Sequence, residues 1–70
     1  NTMTLNISHR AVIGGQLVEV EILETKPYWL SVRHRVAYET KHISAHNREQ
    51  DYTTLEVVWI SDCDLLDKYE

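Results

Sequence analysis

MTLNISHRAVIGGQLVEVEILE, residues 3–24, reads as two alternating runs joined by a pair of glycines. Before the pair, Met3, Leu5, Ile7, His9, Ala11 and Ile13 fall on one side, and Thr4, Asn6, Ser8, Arg10 and Val12 on the other. After it, Val18, Val20 and Ile22 alternate with Leu17, Glu19, Glu21 and Leu23. A period of two is the signature of a strand with one face turned to the core. Gly14-Gly15 supplies the positive φ that a two-residue hairpin turn requires. With the turn there, His9 faces Val20, Ala11 faces Val18, Ile7 faces Ile22 and Arg10 faces Glu19. Apolar residues then meet apolar ones, and base meets acid.

Working outward, a third run sets Leu30, Val32, His34, Val36 and Tyr38 against Trp29, Ser31, Arg33, Arg35, Ala37 and Glu39. Taking Lys26-Pro27-Tyr28 as a three-residue loop predicts Ile22 opposite Val32, Val20 opposite His34 and Val18 opposite Val36. It also predicts Glu21 opposite Arg33 and Glu19 opposite Arg35, so that the charged side faces water; a one-residue slip would turn the buried side outward. TKHISAHNREQD, residues 40–51, offers no buried stripe and reads as a loop. Tyr52 to Ile60 is β-branched and aromatic, a strand whose two sides are both partly apolar. Ser61-Asp62-Cys63-Asp64 has the form of a helix start, with Leu65, Leu66 and Tyr69 as a short stripe. The expected fold is mainly β: one domain, a four-stranded antiparallel meander over 3–13, 16–25, 29–39 and 52–60, strongly curved or closed into a small barrel, with a helix over 62–69. In general build this resembles small SH3-like and Sm-like barrels. No diagnostic motif of either is present, and no residue role is carried over from them.

The composition bounds the function. Seven Lys+Arg against eleven Asp+Glu give a formal charge of −4, which disfavours binding duplex DNA by phosphate neutralisation. No apolar run approaches the ~18–20 residues of a membrane span. Cys63 is the single cysteine, so an internal disulfide and a cysteine-based zinc cage are excluded, which points to a reducing, cytoplasmic setting. In a chain of this size about 60% of the unfolded surface is buried on folding, which favours association as a source of further burial.

Residues that could carry chemistry are few. His42 and His46 are four apart, with Glu49 on the same side of a hypothetical helix, but the sequence lacks the Glu of the helical zinc-protease motif and anything apolar to hold such a helix. No metal and no cofactor is expected. Asp62, Asp64 and Asp67 cluster and offer an acid/base pair only in principle, since a capped helix start accounts for the first two, and aspartates beside Cys63 work against an activated thiolate. No phosphate loop or nucleophile motif is present, and the chain reads as a non-enzyme. Trp29, Arg33, Arg35 and Lys41 resemble an aromatic and basic strand face for single-stranded nucleic acid, although Glu19 and Glu21 are expected opposite the arginines. The apolar residues Leu17, Val12, Leu23, Trp29 and Trp59, interleaved with charges, point instead to a protein partner or a second copy. The leading expectation is a non-catalytic, acidic accessory or inhibitory protein of the kind phages and mobile elements encode. It would bind a partner's surface, or itself, through Trp29, Tyr28 and Trp59, with Arg33, Arg35 and the 40–51 loop contributing. The alternative is the single-stranded nucleic-acid module.

Overall fold

The computed structural model describes residues 5–43 and 51–68. It contains β1 (His9–Ile13), β2 (Gln16–Tyr28), β3 (Ser31–His42), β4 (Tyr52–Ser61), a 3-10 turn (Asp62–Asp64) and β5 (Leu65–Lys68). The strands form one antiparallel sheet in the order β4-β3-β2-β1-β5. The expected meander is therefore present as β1 to β4, with a fifth strand added beside β1. The sheet is not closed: β4 and β5 stand at its two ends.

The first hairpin forms as its glycines dictate. Gly14 and Gly15 have φ of 60° and 78°, and the ladder pairs His9 with Val20, Arg10 with Glu19 and Ala11 with Val18. A Cβ at either glycine would meet nothing within 4 Å, so backbone conformation, rather than space, selects glycine. β1 is shorter than expected and leaves Ile7 outside the ladder. Ser8 N still donates to the Val20 carbonyl at 3.0 Å.

The second hairpin departs from expectation. Its turn is Trp29-Leu30, Tyr28 pairs with Ser31, and Lys26-Pro27-Tyr28 is strand. Pro27 pairs with Val32, one pair back from the turn, where antiparallel alternation directs the backbone N–H away from the partner strand. On that outer side β1 has already ended, because it pairs only with residues 16–20 of β2. The missing N–H costs no ladder bond, so Pro27 is tolerated. The register shifts accordingly: Glu24 lies opposite Arg35, Lys26 opposite Arg33 and Thr25 opposite His34, while Glu21 lies opposite Ala37. The expected pairs Glu21–Arg33 and Glu19–Arg35 do not form.

An irregularity between Ile22 and Glu24 reconciles the shift with the hydrophobic pattern. Val18, Val20 and Ile22 face the core; the bulge at Leu23 moves the following residues to the other parity, so Glu24 turns outward and Thr25 inward. Without it, the Glu24 carboxylate would be carried into the apolar side. The core itself is Ala11, Val20, Val36 and Ile60, with Ile13, Val18, Ile22, Tyr38, Val58 and Leu65 packed around it. The inward side of β4 is thus Val58 and Ile60, leaving Val57 and Trp59 on the outer face.

The expected helix over 62–69 is replaced by one 3-10 turn and a strand. The Ser61 side chain accepts from Cys63 N at 3.4 Å, so the capping reading holds for a single turn. Leu65 then pairs with Ala11. A helix this short gains little by itself, whereas a strand here satisfies the second row of β1 backbone groups and packs Leu65 on the core.

Candidate interaction surface

Residues opposed in neighbouring strands share a face, so the ladders define the outer surface of β2, β3 and β4 row by row. One row is Glu24, Arg35 and Trp59; the next is Lys26, Arg33 and Ser61; the row at the turn is Tyr28 and Ser31. Side chains interlock between rows. The Arg33 guanidinium carbon lies 3.8 Å from the Tyr28 ring centroid, and Lys26 Nζ lies 5.6 Å from that of Trp59. Both are within cation–π range. Glu24 Oε2 is 3.6 Å from Lys26 Nζ, and its Oε1 is 3.5 Å from Arg35 Nε. The contact with Arg35 is an ion pair only, because Arg35 Nε makes no hydrogen bond. Lys26, Arg33 and Arg35 thus gather around Glu24 at the hairpin end of this face, while Glu21 and Glu39 lie further along it, opposite Ala37 and Leu55.

At the end of this face the hairpin turn projects. Trp29 is 88% exposed and Leu30 is fully exposed, and Trp29 meets Tyr28 edge-on at 6.3 Å between centroids. Trp29 has φ 55°, the one non-glycine with positive φ among the described residues. Positive φ at the first turn position and negative at the second is the arrangement that places glycine first in hairpin turns. A bulky residue held there costs about 1–3 kcal/mol.

Of the residues expected to make contacts, Tyr28, Trp29, Trp59, Arg33 and Arg35 therefore lie on or at the end of one surface. Lys41 is exposed on the same side of β3, opposite Thr53. The 40–51 segment expected as a loop is strand through His42, and residues 44–50 lie outside the described residues. Lys26 and Glu24 were not among the expected residues, because the first was assigned to a loop and the second was given no cross-strand partner. Nor was Leu30, which alternation placed inward with Val32. Val12 and Leu17 form a separate exposed pair across the first hairpin, 38% and 60% exposed.

The histidines serve other purposes. His34, 7% exposed, is the one buried polar residue described: Asp62 Oδ1 accepts from its Nε2 at 2.7 Å, and its Nδ1 lies 2.9 Å from Thr25 Oγ1. In the neutral ring the carboxylate fixes the proton on Nε2, so Nδ1 accepts from the Thr25 hydroxyl. The ring ties β2 and β3 to the 3-10 turn, and both its nitrogens are satisfied. His9 Nδ1 lies 2.9 Å from Ser8 Oγ. His42 stands in a strand, stacked on Tyr52 at 4.6 Å, with its Nε2 2.9 Å from Thr54 Oγ1. His46 and Glu49 lie outside the described residues, and no group of three potential metal ligands occurs among those described. Cys63 is exposed, with its sulfur 3.1 Å from Ser61 Oγ. No helix in the described residues is long and apolar enough to cross a membrane. No known protein family, curated protein or solved structure matches the chain.

Proposed function

We propose that this chain is a non-catalytic protein-interaction module, a small acidic accessory or inhibitory protein. It engages a partner protein with the Trp29-Leu30 tip, and the Tyr28, Arg33, Lys26 and Trp59 surface forms a ledge behind it. The observation that carries this reading is Trp29 itself. It holds an unfavourable backbone conformation, and 88% of it remains exposed, so the strain gains almost nothing inside the molecule. An indole inserted into a partner's apolar pocket gives that strain a return, since tryptophan is among the side chains that most often dominate interface energetics. The cations around it would set orientation and favour an acidic rim on the partner.

The single-stranded nucleic-acid reading keeps one observation in its favour: the real register moves Glu19 and Glu21 away from the arginines. The positions of Arg33 and Lys26 over Tyr28 and Trp59 weigh the other way, because bases stack on open ring faces.

Affinity capture from the source cell with wild type and with Trp29→Gly separates the two. The module reading expects one protein retained in stoichiometric amount by the wild type and lost from the variant, with the variant fully folded. Retention by both would remove the tip from the interface. In parallel, a labelled oligonucleotide titrated at low salt is expected to leave tryptophan fluorescence unquenched. Quenching that weakens steeply with added salt would favour the nucleic-acid reading instead.

A further inference from the structure

The two ends of the sheet differ in how they are guarded. β5 is four residues long, includes Asp67 and Lys68, and pairs irregularly with β1. Short length, charge and irregularity are the usual devices that keep an edge from recruiting another strand. β4 is neither short nor irregular and carries little charge. It runs ten residues, pairs with β3 through ten consecutive positions with no bulge, and contains no proline, no glycine and one charged residue, Glu56. Among the described residues no strand pairs with its other edge. Val57 and Trp59 are 50% and 42% exposed beside it.

We infer that this edge pairs with β4 of a second copy of the chain, antiparallel about a two-fold axis at Val57, joining two five-stranded sheets into one. The occupant follows from self-complementarity. A two-fold axis perpendicular to the sheet keeps every residue on its own face, so some residue must lie opposite its own copy. Centring on Glu56 sets carboxylate against carboxylate, which is destabilising. Centring on Leu55 or Val58 leaves a shorter overlap. Centring on Val57 pairs almost the whole strand: Trp59 meets Leu55 of the second copy twice by symmetry, and Glu56 meets Val58. The outer face then gains a continuous apolar strip of Leu55, Val57 and Trp59 from each copy. Such a dimer adds burial to a small core, in which only Val20 and Val36 among the described residues are large side chains that are fully buried. It uses the end of the sheet opposite β5 and leaves the Trp29-Leu30 tip of each copy free; it shares Trp59 with the ledge behind that tip, and the tip itself tells the two readings apart.

The test is a symmetric cross-link. In a Cys63→Ser background, which removes the native exposed thiol, Val57→Cys brings two sulfurs together across the axis. Directly opposed strand residues have Cα atoms about 4.5–5.5 Å apart, within disulfide range. Under mild oxidation Val57→Cys is expected to give a covalent dimer roughly ten-fold faster than Leu17→Cys, an exposed site far from the edge, because pairing raises the local thiol concentration. The unmodified chain is expected to sediment at twice its 8.2 kDa mass, and Val57→Lys to sediment as a folded monomer. Equal cross-linking at Val57 and Leu17, or a wild-type monomer at high concentration, overturns the inference. Faster self-cross-linking of Glu56→Cys than of Val57→Cys overturns the register. None of these variants touches Trp29, so failure here leaves the partner capture unaffected.

Discussion

The β1–β2 hairpin turns through Gly14 and Gly15 at φ of 60° and 78°, and the β2–β3 hairpin turns through Trp29 at 55° followed by Leu30. Both turns need a left-handed residue. The first fills the requirement with the residue type that adopts it freely, and its register is the one its turn dictates. The second fills it with one of the bulkiest side chains, fully displayed. The contrast separates a turn that serves folding from a turn that presents a side chain at a cost to folding.

The comparison breaks most visibly at the glycines. Gly15→Val forces a β-branched residue to positive φ and is expected to cost about 2 kcal/mol. In a domain this small that lowers the thermal midpoint by roughly 10 °C, measurable by circular dichroism. An unchanged midpoint would show that the turn has relaxed to another type and that the β1–β2 register does not depend on it. The opposite sign is expected at the other turn. Trp29→Gly releases the left-handed strain and forfeits little packing, so it is expected to stabilise the fold by about 1 kcal/mol. A loss of stability would mean that the indole contributes to its own fold, which would remove the main reason for assigning it to a partner. A stabilised variant that no longer retains its partner is the signature of a residue kept for binding.

The same contrast explains what the sequence made legible. Alternation placed His34, Val36 and Tyr38 on one side and Arg33, Arg35 and Ala37 on the other, and the structure keeps both sets, because strand parity is a local property of the chain. The first register was readable because a glycine pair fixes it. The second was not, for two local reasons. Pro27 looks like a turn residue and is strand only because β1 has ended beside it. Ile22-Leu23, two apolar residues in succession, marked a bulge that plain alternation passes over. The C-terminal segment misled for a different reason: Leu65 and Leu66 take strand form because β1 offers them an unpaired edge, a tertiary fact that no window of sequence contains. Arg33 and Arg35 share a side of β3 whatever its register with β2, and Trp59 lies opposite Arg35, so the common face of these three does not depend on where the β2–β3 turn falls. Lys26, Glu24 and Leu30 depended on the register and were lost with it.

The smallest expected effect tests that register most directly. Glu24 lies 3.5 Å from Arg35 and 3.6 Å from Lys26, with all three side chains more than a third exposed. Solvent screening keeps such pairs small, and a double-mutant cycle between Glu24→Gln and Arg35→Met is expected to give a coupling of about 0.5 kcal/mol, falling with added salt. The cycle between Glu21→Gln and Arg33→Met is expected to give no coupling beyond error, because Glu21 stands opposite Ala37, two rows from Arg33, and its Oε1 instead accepts from Asn6 N at 3.1 Å. The unbulged register, with its three-residue turn, puts Glu21 directly opposite Arg33 and carries Glu24 to the other face, away from Arg35, so it predicts the reverse pattern. A measurable Glu21–Arg33 coupling with none between Glu24 and Arg35 would therefore place the turn back at Lys26-Pro27-Tyr28. Pro27 would then leave the strand, Trp29 would lose its position at the tip, and the contrast between the two hairpins would disappear with it.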